Sequence, residues 1–247
     1  MKKNIFHLGI KKPPFNINKE FSIQHVKVID ILFKFYNNRI EVEKFLKKKP
    51  IVLILSQNGV IGLRKWIKYY KYNICDIKKL KFWTVGSVTQ KYLFKELCID
   101  SKYSKVKTGI GALKELKKAG LDNILIISSD ELRKDLSIFL NNSNLNYFQL
   151  SVYKKHIIES DLLIRKFNNL YDEFLVFTSP STVDGFIYNT KCVDLLNIRS
   201  RCISIGPTTT EYIKQMKGDV FYEAKSPNII NLYAEINKII SKQIYEN

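Results

Sequence analysis

The chain has 247 residues, with 41 Lys+Arg against 23 Asp+Glu, a formal charge of +18, 45 % apolar residues, ten Gly and six Pro. This balance excludes a disordered or fibrous chain, and no apolar run approaches the roughly 20 residues of a membrane span. Only six basic residues are Arg, and the Lys are scattered apart from short clusters at 47–49, 78–81 and 117–118, so the field suits an anionic small molecule better than a nucleic-acid partner.

The segment from Met1 to His7 has no apolar stretch of the kind that leads a secreted protein. The cysteines at 75, 98, 192 and 202 show no CxxC spacing. A cytoplasmic protein without a zinc site or disulfides is therefore expected.

In chain order, short continuous apolar runs predict buried strands at 4–8 and 26–33. The run 51–55 ends in a turn at Ser56, with a helix over 63–70, and the run ending at Val85 meets a turn at Gly86 and a helix over 89–97. Helix 110–119, strand 124–128, helix 131–141 and strand 147–152 follow. Then come strand 174–178 with helix 183–188, a strand ending at Ile205 with helix 209–216, strand 220–222 and helix 228–245. Strands without a polar face, alternating with amphipathic helices, predict doubly wound parallel sheets.

Part of this order repeats. Leu53-Ile54-Leu55-Ser56-Gln57-Asn58-Gly59-Val60 recurs as Val176-Phe177-Thr178-Ser179-Pro180-Ser181-Thr182-Val183, and Val85-Gly86-Ser87-Val88-Thr89 recurs as Ile205-Gly206-Pro207-Thr208-Thr209. The offsets are 123 and 120 residues, which predicts two similar domains. The flanks of the two copies are unequal. One domain is therefore expected from both chain ends, 1–35 and 155–247, with 38–150 inserted and linkers near 33–39 and 150–156.

The four turns at Ser56, Gly86, Ser179 and Gly206 place small residues and hydroxyls where a strand becomes a helix. Free N–H groups and the helix dipole favour an anion there. Each turn taken alone also reads as an ordinary N-cap. No GxGxxG, Walker or GxSxG pattern occurs, and His7, His25 and His156 do not form a metal pattern. Asp130, Asp172 and Glu173 lie near strand ends without forming a spaced acidic cluster. Tyr153, in Ser151-Val152-Tyr153-Lys154-Lys155, falls at the second crossing between domains, where a phenol facing a cleft would donate a proton; it also reads as one more packed aromatic.

The constellation resembles the uroporphyrinogen-III synthase family. The resemblance is carried by Leu55-Ser56-Gln57-Asn58-Gly59-Val60, Val85-Gly86-Ser87-Val88-Thr89, Ser128-Ser129-Asp130 with Arg133, Val152-Tyr153, Phe177-Thr178-Ser179-Pro180-Ser181-Thr182-Val183, Ile205-Gly206-Pro207-Thr208-Thr209 and Ala224-Lys225-Ser226-Pro227. It implies an α/β fold of two flavodoxin-like domains joined by a two-stranded connector, with a cleft between them. It also implies a cofactor-free lyase, a cytoplasmic monomer acting on hydroxymethylbilane, with neither nucleic acid nor membrane as partner. That enzyme closes the linear tetrapyrrole with loss of water and inverts ring D.

In that reading Tyr153 assists the departing hydroxyl. Ser56, Asn58, Gly86, Ser87 and Thr89 hold substrate carboxylates together with Ser129 and Arg133. Ser179, Ser181, Pro207, Thr208 and Thr209 do the same from the second repeat. The sequence departs from the family where the first strand ends His7-Leu8-Gly9-Ile10 instead of an Arg-Pro-like pair. The helix expected next is shortened around Lys11-Lys12-Pro13-Pro14 and residues 16–21. The alternative reading is a non-catalytic two-domain protein that binds anions or sugar phosphates, and a nucleic-acid binder comes third.

Overall fold

A run such as Ile51-Val52-Leu53-Ile54 has no polar face, so it is stable only where helices cover both sides of its sheet. That is how the chain folds. The structure, a computed structural model, describes residues 3–13, 21–35, 37–166, 173–192, 195 and 201–245. The first half runs β1 (Lys3–Leu8), β2 (Phe21–Val26), β3 (Ile29–Leu32), α1 (Arg39–Leu46), β4 (Ile51–Ile54), α2 (Gln57–Tyr69), α3 (Ile74–Lys78), β5 (Lys81–Thr84), α4 (Ser87–Leu97), β6 (Lys102–Tyr103) and α5 (Gly109–Lys118). The second half runs β7 (Asn123–Ser129), α6 (Lys134–Asn141), β8 (Asn146–Ile157), α7 (Asp161–Lys166), β9 (Phe174–Phe177), α8 (Pro180–Thr190), β10 (Arg201–Ser204), α9 (Pro207–Gln215), β11 (Val220–Glu223) and α10 (Ile229–Tyr245).

Two compact units result, Met1–Asp30 with His156–Asn247, and Ile31–Lys155. The first holds a sheet of order β2-β1-β9-β10-β11 with every neighbouring pair parallel. In chain order that is the 2-1-3-4-5 arrangement of flavodoxin-like sheets. In the second, β8-β7-β4-β5-β6 are parallel neighbours and β3 lies beyond β8. Read from β7, its order is again 2-1-3-4-5, so the second sheet is a circular permutation of the first. The repeat obeys this match, because β4 superposes in order on β9 and β5 on β10.

Alternate residues along each strand feed different layers. In the second unit Val52, Ile54, Leu125 and Ile127 pack against α1, α2 and α4, whereas Ile51, Leu53, Ile124 and Ile126 pack against α5 and α6. In the first unit Phe6, Leu8, Leu175 and Phe177 face α8 and α9, and Ile5, Phe174, Val176 and Ile203 face α10. Two glycines at matched positions allow close approaches. A Cβ on Gly62 of α2 would lie 2.4 Å from Val152 Cγ2, and one on Gly185 of α8 would lie 2.8 Å from the Val28 carbonyl oxygen. Gly62 and Gly185 are 123 residues apart, the offset of the first repeat.

One predicted element is corrected. The apolar run 26–33 is not one strand: β2 ends at Val26, and β3 restarts at Ile29 in the other sheet. Hydropathy marks both pieces as buried but carries no record of which sheet they join. The alternating Phe21-Ser22-Ile23-Gln24-His25-Val26 and the short elements α1, α3, α7 and β6 are additional to the predicted set. Residues 14 and 16–20 of the expected shortened helix, and Asp172, lie outside the described residues.

Candidate functional site

Parallel sheets present their loops at the carboxyl ends of the strands, and the repeated turns fall there in both units. Gly86 caps α4 and Gly206 caps α9, neither with a side-chain hydrogen bond. In α9 the Thr209 N–H turns back to the Gly206 carbonyl at 3.0 Å, so Thr208 supplies the first-turn N–H there, whereas in α4 the first-turn N–H groups face outward from the cap. Ser87 and Pro207 are the first helical residues, and Thr208 follows Pro207. Pro207 removes one orphan donor and sets the entry of the helix. Thr89 and Thr209 occupy matched, buried positions one turn in. Just before the turns, the buried Thr84 donates to the Gly86 carbonyl at 3.2 Å, and Ser204 shares a 2.5 Å hydrogen bond with Thr210.

The other pair of turns is closed more tightly. Ser56 caps α2, its Oγ accepting the Gly59 N–H at 3.2 Å, and Asn58 is the second helical residue. In the first unit the Ser179 N–H donates to Thr182 Oγ1 at 3.2 Å, while the Ser179 and Ser181 hydroxyls lie 3.1 Å apart.

Tyr153 joins this edge of the second unit. Its ring is packed in the core at 6 % exposure, and its hydroxyl lies 3.2 Å from Ser56 Oγ. The β7–β8 register shifts between Ser128 and Ser129, so that Ser129 pairs with Tyr153, and the Asp130 N–H donates to the Tyr153 carbonyl at 2.9 Å. That irregularity aims the phenol across the sheet end towards α2. Ser129 spends its hydroxyl on the Glu131 carbonyl at 2.6 Å. Arg133 caps α6 without a side-chain cap bond and is exposed, paired with Asp135 through its Nε at 3.2 Å and its Nη2 at 3.0 Å.

Lys107 was not marked by any motif. Its Cγ is 3.8 Å from where a Gly86 Cβ would stand, which puts an exposed lysine over the open end of α4. Pro227 holds the corresponding place beside Gly206, also at 3.8 Å. The signal in the sequence is the 120-residue offset, which carries Lys107 onto Pro227.

A family model described as uroporphyrinogen-III synthase HemD matches residues 27–234. The chain belongs to the uroporphyrinogen-III synthase family. A curated member, the porphyrin biosynthesis protein HemD of Ruminiclostridium josui, is 27 % identical over 169 residues, which is 66 % of this chain. The match spans 33 % of that longer relative.

Solved structures of the family share the fold. The uroporphyrinogen-III synthetase of Helicobacter pylori aligns with a TM-score of 0.65 at 17 % identity, covering 96 % of this chain and 99 % of that one. A mutant uroporphyrinogen III synthase of Thermus thermophilus aligns at 0.68 and 12 % identity, covering 97 % and 99 %. Two α/β parallel-sheet domains are thus the architecture of this family member. Among its described residues no group of three or more His, Cys, Asp and Glu is placed to hold a metal, and no helix is long and apolar enough to cross a membrane.

Proposed function

We propose that the chain is a uroporphyrinogen-III synthase, a lyase that cyclises hydroxymethylbilane with loss of water and inversion of ring D. The observation that carries this reading, within a chain of that family, is the matched pair of uncapped helix N-termini at Gly86 and Gly206. A polycarboxylate tetrapyrrole needs donors that hold anions without reacting with them, and main-chain N–H groups at helix starts supply them. Ser87, Thr89, Thr208 and Thr209 add hydroxyls at these two turns. Ser56, Asn58, Ser179, Ser181, Ser129 and Arg133 complete the proposed binding set, with Pro207 shaping its turn.

Tyr153 is the proposed acid. Ser56 Oγ accepts from the Gly59 N–H, which leaves the Ser56 proton to donate to the Tyr153 oxygen. The phenolic proton is then directed to the substrate hydroxyl. As the C–O bond of the hydroxymethyl group breaks, that proton leaves in water. The electron-poor carbon left behind is attacked by ring D to give a spiro intermediate. Cleavage of the bond from the spiro carbon of ring D to its original bridging carbon, and bonding of that bridging carbon to the free α-carbon of ring D, invert the ring. The proton lost from that α-carbon restores the acid. The residual negative charge on the phenol oxygen is favoured by the Ser56 O–H and the N-terminus of α2. Holding the two ends of the linear substrate in register is chiefly positioning.

The protein is taken to work as a cytoplasmic monomer on a free polyanionic substrate, with no nucleic acid or membrane as partner. Its four free cysteines fit a reducing compartment. The test is porphyrin product analysis after incubation with hydroxymethylbilane. The type III isomer is expected. Type I isomer alone, formed at the rate of the protein-free control, would overturn the proposal and leave an anion-binding protein without chemistry.

A further inference from the structure

We propose that Glu115 and Glu235 are a matched pair of positioning residues, each holding the lysine-bearing loop that lies against the open N-terminus of α4 or α9. The inference rests on the function proposed above and assigns these residues to it.

On α5, the Glu115 carboxylate accepts the Ser104 hydroxyl at 2.9 Å, the Lys105 N–H at 3.0 Å and the Val106 N–H at 3.2 Å. The loop so held carries Lys105 and Lys107, both with exposed side chains, and Lys107 is the residue that stands over Gly86. On α10, Glu235 Oε2 accepts the Lys225 N–H at 3.3 Å and the Tyr222 hydroxyl at 3.1 Å. The loop it holds places Pro227 beside Gly206.

The correspondence is position by position. Glu115 and Glu235 are 120 residues apart, as are Lys105 and Lys225, and as are the turn glycines. The Lys105 N–H to Glu115 Oε2 distance is 3.3 Å, the same as for its counterpart. Even the helix caps agree, since Thr108 accepts from the Gly111 N–H and Asn228, at the same offset, accepts from the Asn231 N–H. The Lys N–H to Glu carboxylate bond thus recurs in both units beside the same open turn.

Two surface pockets flank the first loop. A cavity of about 410 Å³ and another of about 380 Å³ both have Glu115 in their walls, with Lys105 in the first and Val106 in the second. The loop is also held by Val106 packed closely on Gly111 of α5 and by the Ser104 N–H donating to the Thr84 carbonyl at 2.9 Å, and the Glu115 carboxylate is the acceptor that fixes its Lys105 and Val106 N–H groups. Burial pushes the Glu115 carboxyl up, but the Val106 N–H, the Ser104 hydroxyl and the Lys105 N–H prevail and hold it below the usual carboxylate range. It stays ionised as an acceptor at neutral pH. The tether takes main-chain N–H groups, so the ammonium groups of Lys105 and Lys107 stay available to an incoming carboxylate.

The test compares Glu115→Ala, Glu115→Gln and Lys105→Ala with the parent by amide exchange at Lys105 and Val106, by steady-state kinetics with hydroxymethylbilane and by thermal melting. In Glu115→Ala the two amides should exchange about tenfold faster or more, and KM should rise about tenfold with kcat within about twofold, because hydrogen bonds to a charged acceptor are the stronger class. Glu115→Gln keeps one acceptor oxygen and should recover most of the KM. Lys105→Ala should raise KM with exchange at Val106 unchanged.

Unchanged exchange in Glu115→Ala would show that there is no tether. Faster exchange with parental KM would show a tether with no bearing on substrate, and either result overturns the inference. Should Glu115→Ala fail to fold, parental KM in both Glu115→Gln and Lys105→Ala overturns it equally. A parent protein without turnover refutes the proposed function instead, and the exchange data then judge the tether separately.

Discussion

His7 makes acid stability a sharp test of the packing around β1. The residue is fully buried, one position before the strand ends. Its Nε2 lies 3.0 Å from the Lys11 carbonyl, which only accepts, so Nε2 carries the hydrogen. Nδ1 therefore accepts the Tyr233 hydroxyl at 2.6 Å, and the neutral ring is satisfied at both nitrogens. A second proton would charge a group without solvent contact and turn Tyr233 from donor to acceptor. Burial accordingly pushes the His7 pKa down to about 4, opposed by the Lys11 carbonyl and assisted by nearby His25.

The folded value lies below the unfolded one of 6.5, so the unfolded chain binds the extra proton first as pH falls. The stabilisation is complete above about pH 6.5, is lost between there and about pH 4, and changes no further below. Its size is about 3 kcal/mol, at roughly 1.4 kcal/mol per pH unit. Urea unfolding of the parent and of His7→Gln, followed by amide exchange in β1 and β9 and by circular dichroism from about pH 7 down to about pH 4, isolates it, since the carboxylates titrate alike in both. The stability difference between the two proteins should shrink by about 3 kcal/mol over that window. Parallel pH profiles would refute the buried, neutral His7 and with it the Tyr233 contact.

Three further outcomes are expected. Tyr153→Phe keeps the ring and loses only the hydroxyl near Ser56, so its stability should change by about 1 kcal/mol or less. Its turnover should fall about 10-fold to 100-fold with the type III isomer still formed, and parental turnover at matched folded concentration would show a phenol that is merely packed. Thr89→Ala and Thr209→Ala should each lower kcat/KM by about tenfold at most, the worth of one hydroxyl hydrogen bond; a folded Thr89→Ala protein with no activity would contradict binding through the main chain. Gly62→Ala forces a Cβ to 2.4 Å from Val152 Cγ2 and should destabilise by about 1–3 kcal/mol in a thermal melt, with partial rescue by Val152→Ala. Gly185→Ala meets the Val28 carbonyl at 2.8 Å, so Val28→Ala should rescue it less.

Much of this protein is legible in its sequence because the relevant physics is local. β4 and β9 are buried along their whole length, and a run of four apolar residues between turn signals already says so. The turns at Ser56, Gly86, Ser179 and Gly206 are helix starts by residue type alone, and their two offsets announce the duplication. What the sequence leaves open is decided by partners distant along the chain. Whether the run 26–33 is one strand or two depends on which sheet each half joins, and hydrogen-bond partners leave no periodicity. Glu115 and Glu235 read as ordinary helix-surface acids until the loops fold back onto them, and Gly62 and Gly185 read as weak helix residues until Val152 and Val28 arrive at contact distance. Tyr153 shows the division most clearly. Its strand is written in the apolar run before it, but its bond to Ser56, 97 residues away, exists only because β4 and β8 flank β7 and the register shifts at Ser129. Local preference selects the elements, and only tertiary packing brings together groups that no short-range pattern links.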